Sequence, residues 1–266
     1  MLYENIVSLN HRIIMCQEIS ESEKQNITRL ILYKCKSQDN RINFWLKRHQ
    51  YMYPYYLLPA DEESCLERSK KLRLITGELP KTYLLSHNAY ELELLRILAL
   101  WHSDNDDIKE ILKVTEQRLE NTCFGHFCSK GECFGLSLVA LRYWNTYAPE
   151  DADRINDILM KLSQYSINRG VNGSNNNIPS FYYLLTLSEL ADNNDIAKEI
   201  LESNSHTLYS QFQKGWIVNP DNADRYNPIR KYVIRNALSK LSEYKHMKNA
   251  EVYVGSDGRC YGKCVY

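Results

Sequence analysis

"ELELLRILALWHSDNDDIKEILKV", residues 91–114, decides the fold because it holds a pair of helices in one line. Its first half sets Leu92, Leu94, Leu95, Ile97, Leu98, Leu100 and Trp101 around most of a helical circumference, as in a helix covered on nearly every side. Asp and Asn then crowd positions 104–107, where their side chains interrupt the apolar pattern and accept from the free N–H groups of a new helix. The second half, continued to Leu119, keeps Ile108, Ile111, Leu112, Thr115 and Leu119 on a single stripe. The reading is an inner helix, a short polar link and an outer helix.

Two further segments are built the same way. They are "GLSLVALRYWNTYAPEDADRINDILMKL" from Gly135 and "FYYLLTLSELADNNDIAKEILES" from Phe181. Aligning Ile111, Ile158 and Ile200 gives spacings of 47 and 42 residues, the period of helix-pair repeats. The expected fold class is therefore all-α, with helix hairpins of about 42–47 residues packed as an α/α toroid or α-solenoid and very little strand.

Outward from this centre, residues 1–80 read as an N-terminal helical region packed on the repeats. Its helices are expected over 1–19, over 22–36 behind a capping box at "SESE" 20–23, and over 61–75. Residues 81–246 form the repeat region, closing on a helix over 227–246 with Pro228 in its first turn. Residues 247–266 are an irregular tail, a loop or short hairpin, and the three parts make one structural domain.

Composition narrows the function. Lys plus Arg and Asp plus Glu both number 33, so no global field draws the chain to nucleic acid or to an anionic membrane. Apolar runs such as "ILALW" at 97–101 fall well short of the roughly 20 residues a membrane span needs. "MLYENIVSLNHRIIMCQEIS" reads as a structural helix, not a signal peptide, which points to the cytoplasm with the eight cysteines reduced. Ten glycines, with no G-x-G-x-x-G, G-x-x-x-x-G-K-[ST] or G-x-S-x-G, leave little material for a phosphate loop or nucleophile elbow, and H-E-x-x-H is missing too. The "DNDD" at 104–107 matches a D-x-D-D proton donor, yet "EDAD" at 150–153 and "DNND" at 192–195 stand in the equivalent links, so helix capping explains all three.

The returns from outer to inner helix are long: "NTCFGHFCSKGE", "NRGVNGSNNNIPS" and "KGWIVNPDNADRYNP". In a stack of helix pairs such returns share one rim, and long irregular links on a rigid scaffold are where binding sits. The candidate ligand-binding residues are Cys123, His126, Cys128, Arg169, Asn172, Asn175, Trp216, Asp221, Asp224 and Arg225. The expected function is a helical-repeat binding protein that recognises a peptide, protein or small molecule on this rim. The alternatives are an enzyme with an apolar cavity walled by Tyr90, Tyr143, Trp144, Tyr182 and Tyr183, or a zinc-stabilised scaffold.

This alternation of inner and outer helices resembles the α/α-toroid superfamily of terpenoid cyclases, prenyltransferase β-subunits and lanthionine cyclases. "QFQKGW" at 211–216 is similar to the Q-x-x-x-G-W signature that ends an outer helix in the cyclase repeats. The resemblance covers about residues 85–246 and implies a fold. It transfers no catalytic residue, because the D-x-D-D equivalent lies in the wrong link, DDxxD is missing and so is the zinc-binding Cys-His-Gly.

Two stretches carry chemistry of their own. In "CFGHFCSKGECFG", 123–135, Cys123, His126, Cys128 and Cys133 give C-x2-H-x-C-x4-C, the four N/S ligands a tetrahedral zinc takes. The spacing belongs to no standard finger or ribbon, and a reactive thiol at Cys128 or Cys133, or a plain structural loop, accounts for the same residues. The structural loop is the preferred reading of this stretch; no cofactor is expected, and zinc is the one the sequence admits. In "RINFWLKRHQYMYPYY", Arg41 to Tyr56, cations interleave with aromatic rings, which suits single-stranded nucleic acid; buried Phe44 and Trp45 with a tyrosine strap is the plainer account.

Overall fold

Asn105, Asp151 and Asn194 stand in the three Asp/Asn-rich links, and each side chain accepts the backbone N–H three residues on: Ile108 at 3.2 Å, Arg154 at 3.2 Å and Ala197 at 3.1 Å. Each thereby satisfies a donor that the first helical turn leaves open. Helices follow where these caps place them. The computed structural model describes residues 2–36, 56–57, 72–81, 83–102, 104–130, 133–164 and 179–264. The 41–55 part of the aromatic–cationic stretch, the 61–71 part of the third N-terminal helix, and Arg169, Asn172 and Asn175 lie outside the described residues.

The described chain is mostly α-helical. Its helices are α1 (Leu2–Ile14), α2 (Glu21–Lys36), α3 (Tyr83–His102), α4 (Asp106–Glu120), α5 (Cys133–Tyr147), α6 (Ala152–Leu162), α7 (Ser180–Leu190), α8 (Asp195–Glu202), α9 (Ser205–Gln213) and α10 (Asn227–Ser239). A small antiparallel sheet of β1 (Trp216–Ile217), β2 (Glu251–Val254) and β3 (Arg259–Lys263) runs in the order β1-β3-β2. Among the described residues no helix is long and apolar enough to cross a membrane. The chain divides into two compact units, Met1–Arg12 with Glu18–Leu74 and Leu79–Ile158, and Ile13–Gln17 with Ile75–Glu78 and Leu159–Tyr266.

Two helix ends differ from expectation. Helix α1 stops at Ile14, short of residue 19, because Cys16 takes a left-handed φ of 59° and its N–H turns back to the Ile13 carbonyl. The last helix stops at Ser239, and a 3-10 stretch, Ser242–Asn249, replaces its expected end. The capping box forms as read. The Glu23 N–H donates to Ser20 Oγ at 3.3 Å, and the Ser20 N–H donates to the Glu23 carboxylate at 3.1 Å.

The first unit is built on α3 against α5. Helix α3 is covered on most sides, and it buries charges as well as apolar groups: Glu91, Glu93 and Arg96 lie inside along with Leu92, Leu94 and Leu95. Charges taken from water must be paired, and these are. Glu91 accepts from Arg118 of α4 and, at 2.6 Å, from the Tyr56 N–H. Glu93 accepts from Arg142 of α5, and Asn10 of α1 accepts from Arg96 at 2.7 Å. Four helices are thus held in register by side chains that hydropathy alone places at a surface.

The second unit closes its helix ends over long sequence distances. The Glu78 carboxylate accepts the N–H groups of Phe181 and Tyr182, at 2.7 and 3.1 Å, at the start of α7, where the helix dipole favours an anion. Lys231 of α10 donates to the carbonyls of Gln211, Phe212 and Lys214 at 2.5, 2.7 and 2.5 Å, serving the C-terminal end of α9. The tail forms a hairpin in which Gly262 lies so close to Phe212 that a Cβ there would overlap the ring.

Candidate metal centre

The return link between α4 and α5 is fixed at several points besides its cysteines. Thr122 caps a 3-10 turn, Cys123–His126, by accepting the Gly125 N–H at 3.2 Å. Gly125 is pressed against the end of α4, where a Cβ would lie 2.8 Å from the Leu119 carbonyl carbon and closer still to its oxygen, so only glycine passes. Its own carbonyl accepts from Trp144 Nε1 at 3.3 Å, and Arg154 stacks 4.2 Å above the Trp144 ring. Phe127 then takes a φ of 85°, a conformation that costs a side-chain-bearing residue on the order of 1–3 kcal/mol, and its ring meets Phe134 edge-on at 6.1 Å. The Cys128 N–H donates to Ser137 Oγ, which donates on to the Cys133 carbonyl, both at 2.9 Å.

These restraints gather three thiols. The Sγ atoms of Cys123, Cys128 and Cys133 all lie within 4.8 Å of one another, and Cys123 and Cys133 approach to 3.9 Å. Zinc–thiolate bonds of about 2.3 Å at tetrahedral angles hold sulfurs about 3.8 Å apart. The cluster could therefore hold a metal ion. Cys123 is exposed and the other two are half-buried, so the group opens to solvent on one side. Lys130 donates its backbone N–H to Cys128 and lowers that thiol's pKa, while burial pushes Cys133 up to about 12, with the neighbouring thiols adding to the rise. A cation bound among them would reverse that last effect by favouring thiolate.

His126 does not join the group. It is exposed, and its Nε2 lies 2.9 Å from the Glu120 carbonyl, because the 3-10 turn carries the imidazole back over the end of α4. Of the expected C-x2-H-x-C-x4-C set, the structure brings together the three cysteines. The spacing that matters is C-x4-C-x4-C, which the sequence displays plainly and which the histidine between the first two thiols masks.

The other expected site residues take separate roles. Trp216 is half-buried in β1, with the Lys231 ammonium 4.1 Å from its ring centroid and Phe181 edge-on at 5.8 Å. Asp221 and Asp224 head short turns in which Asn219 and Asn222 accept their N–H groups. Arg225 is exposed, stacks on Tyr226 at 5.0 Å and donates to its hydroxyl. These four belong to the second unit and the cysteines to the first. Tyr90, Tyr143, Trp144, Tyr182 and Tyr183 are fully buried. They line neither a cleft of about 890 Å³ in the second unit, walled by residues such as Leu185, Arg235 and Lys240, nor a hollow of about 310 Å³ beside Leu112 and Tyr147 in the first.

Compared with protein-family models, curated proteins and solved structures, the chain matches none.

Proposed function

We propose that this chain is a helical scaffold that binds one zinc ion through Cys123, Cys128 and Cys133 and presents the return link around it as a recognition surface. The observation that carries the reading is the mutual approach of the three sulfurs to within 4.8 Å. Three thiolates suit a soft d10 ion, and three protein ligands leave the fourth position to water or to a donor from a bound peptide, protein or small molecule. The helix–link–helix order of α3–α4, α5–α6 and α7–α8 supports the reading of a repeat scaffold that offers its long links for binding.

Elemental analysis of the full chain purified without chelator tests the metal. One equivalent of zinc per chain is expected, with loss of most of it in Cys128→Ser and in Cys123→Ser. Metal far below one equivalent after zinc is supplied during growth, or full retention in the triple serine variant, would overturn the reading. Cobalt substitution adds a second readout, since thiolate ligation gives an intense sulfur-to-metal absorption that oxygen ligands do not.

A further inference from the structure

We propose that the same cluster is an oxidation site, at which a hydroperoxide joins Cys123 to Cys133 in a disulfide and so removes two of the three metal ligands. The oxidation step rests on the sulfur geometry alone. The release of metal rests on the zinc reading above.

The geometry selects the pair. Cys123 is exposed, so a small peroxide reaches its sulfur from solvent, and its thiol donates to Cys133 Sγ at 3.9 Å. A disulfide needs about 2.05 Å, so the two sulfurs must close by less than a carbon–carbon contact distance. Cys123 opens the 3-10 turn and Cys133 opens α5, each at the end of an element where rotation about χ1 disturbs no helical hydrogen bond. The other described cysteines outside the cluster are engaged elsewhere. Cys264 faces Met247 Sδ at 3.6 Å, Cys16 faces Arg235 at 3.7 Å, and Cys35 and Cys260 are buried.

The chemistry balances in two steps. The Cys123 sulfur attacks the peroxide oxygen; an S–O bond forms, the O–O bond breaks, the sulfur is oxidised to a sulfenic acid, and the other oxygen leaves with the thiol proton as an alcohol or as water. The Cys133 sulfur then attacks the Cys123 sulfur; the S–S bond forms, the S–O bond breaks, and hydroxide leaves with the Cys133 proton as water. In sum, two thiols and one hydroperoxide become one disulfide, one alcohol and one water. Cys128 is left as a lone thiol, which cannot retain an ion that three sulfurs held. A dithiol reductant regenerates the site.

The test treats the metal-free and the zinc-loaded full chain with hydrogen peroxide near stoichiometric amounts, followed by intact mass measurement and peptide mapping. The metal-free chain is expected to lose two hydrogen masses and to yield a linked peptide containing Cys123 and Cys133, reversed by dithiothreitol. The loaded chain is expected to release zinc to a chromophoric chelator in proportion to that peptide. Cys128→Ser should lose metal binding yet still form the bridge, whereas Cys133→Ser should lose the bridge. Bridging in a chain that takes up no zinc when zinc is supplied would sink the metal reading and leave the oxidation site standing. Stoichiometric zinc with Cys123 and Cys133 still alkylatable after oxidation of Cys16 would overturn this proposal and leave the metal reading standing.

Discussion

Arg142 Nη1 lies 2.6 Å from both carboxylate oxygens of Glu93, with both side chains buried. The pair ties α5 to α3 in the interior of the first unit. Removing one member leaves a charge in a medium that cannot solvate it, so Arg142→Met or Glu93→Met is expected to cost about 3–5 kcal/mol of unfolding free energy. The double methionine variant should cost clearly less than the sum of the two singles, as urea denaturation of the four proteins would show. Additive losses would mean that the two side chains act independently.

Gly125 is the tightest point of the cysteine-bearing link. Gly125→Ala drives a methyl group into the Leu119 carbonyl, so the 3-10 turn must shift. The turn positions Cys123, and if the proposed zinc is bound there, displacing a supporting contact of its ligand lowers affinity by about 10–100-fold. Competition against a chelator of known affinity measures the loss, and circular dichroism of the same variant should show the helices retained.

Lys231 meets three backbone carbonyls and lies over Trp216. Lys231→Met keeps most of the packed stem and leaves the carbonyls without a donor, with an expected cost of about 3 kcal/mol. Burial lowers the ammonium pKa from 10.5 to about 8. Between those values the unfolded chain holds more protons than the native one, so this group makes stability rise with pH from about 8 upward. Comparing thermal unfolding of the native sequence and Lys231→Met across that window should reveal the rise in the former only.

Glu23 is held down to about 2 by Arg12, whose guanidinium lies 2.6 Å away, and by the Ser20 N–H. A depressed carboxyl stabilises the fold above its ordinary value of 4.5 and loses that contribution as pH falls towards 2. Acid titration followed by circular dichroism should show α2 fraying over this range, and Glu23→Gln should fray less steeply because the group that titrates is gone.

Much of the architecture is local and could be read directly. The caps at Asn105, Asp151 and Asn194 and the Ser20–Glu23 box each involve residues three apart, and their side chains act on the turn they begin. The buried charges were not legible in this way. Glu91, Glu93 and Arg96 look like the polar edge of an inner helix until Arg118, Arg142 and Asn10 arrive from other elements. The tail hairpin was also half-hidden, because its pairing with β1 joins Trp216 to Cys260 across the sequence.

The candidate centre divides along the same line. Composition and spacing alone determined that this link concentrates thiols between two helices, since three cysteines five residues apart are a property of the chain. Which donors converge was decided only by tertiary structure. The steric bar at Gly125, the strained turn at Phe127 and the Ser137 strap bring Cys123, Cys128 and Cys133 together and send His126 to the Glu120 carbonyl. A side chain's direction depends on backbone angles fixed by contacts with the ends of the two flanking helices, and residue spacing does not encode them.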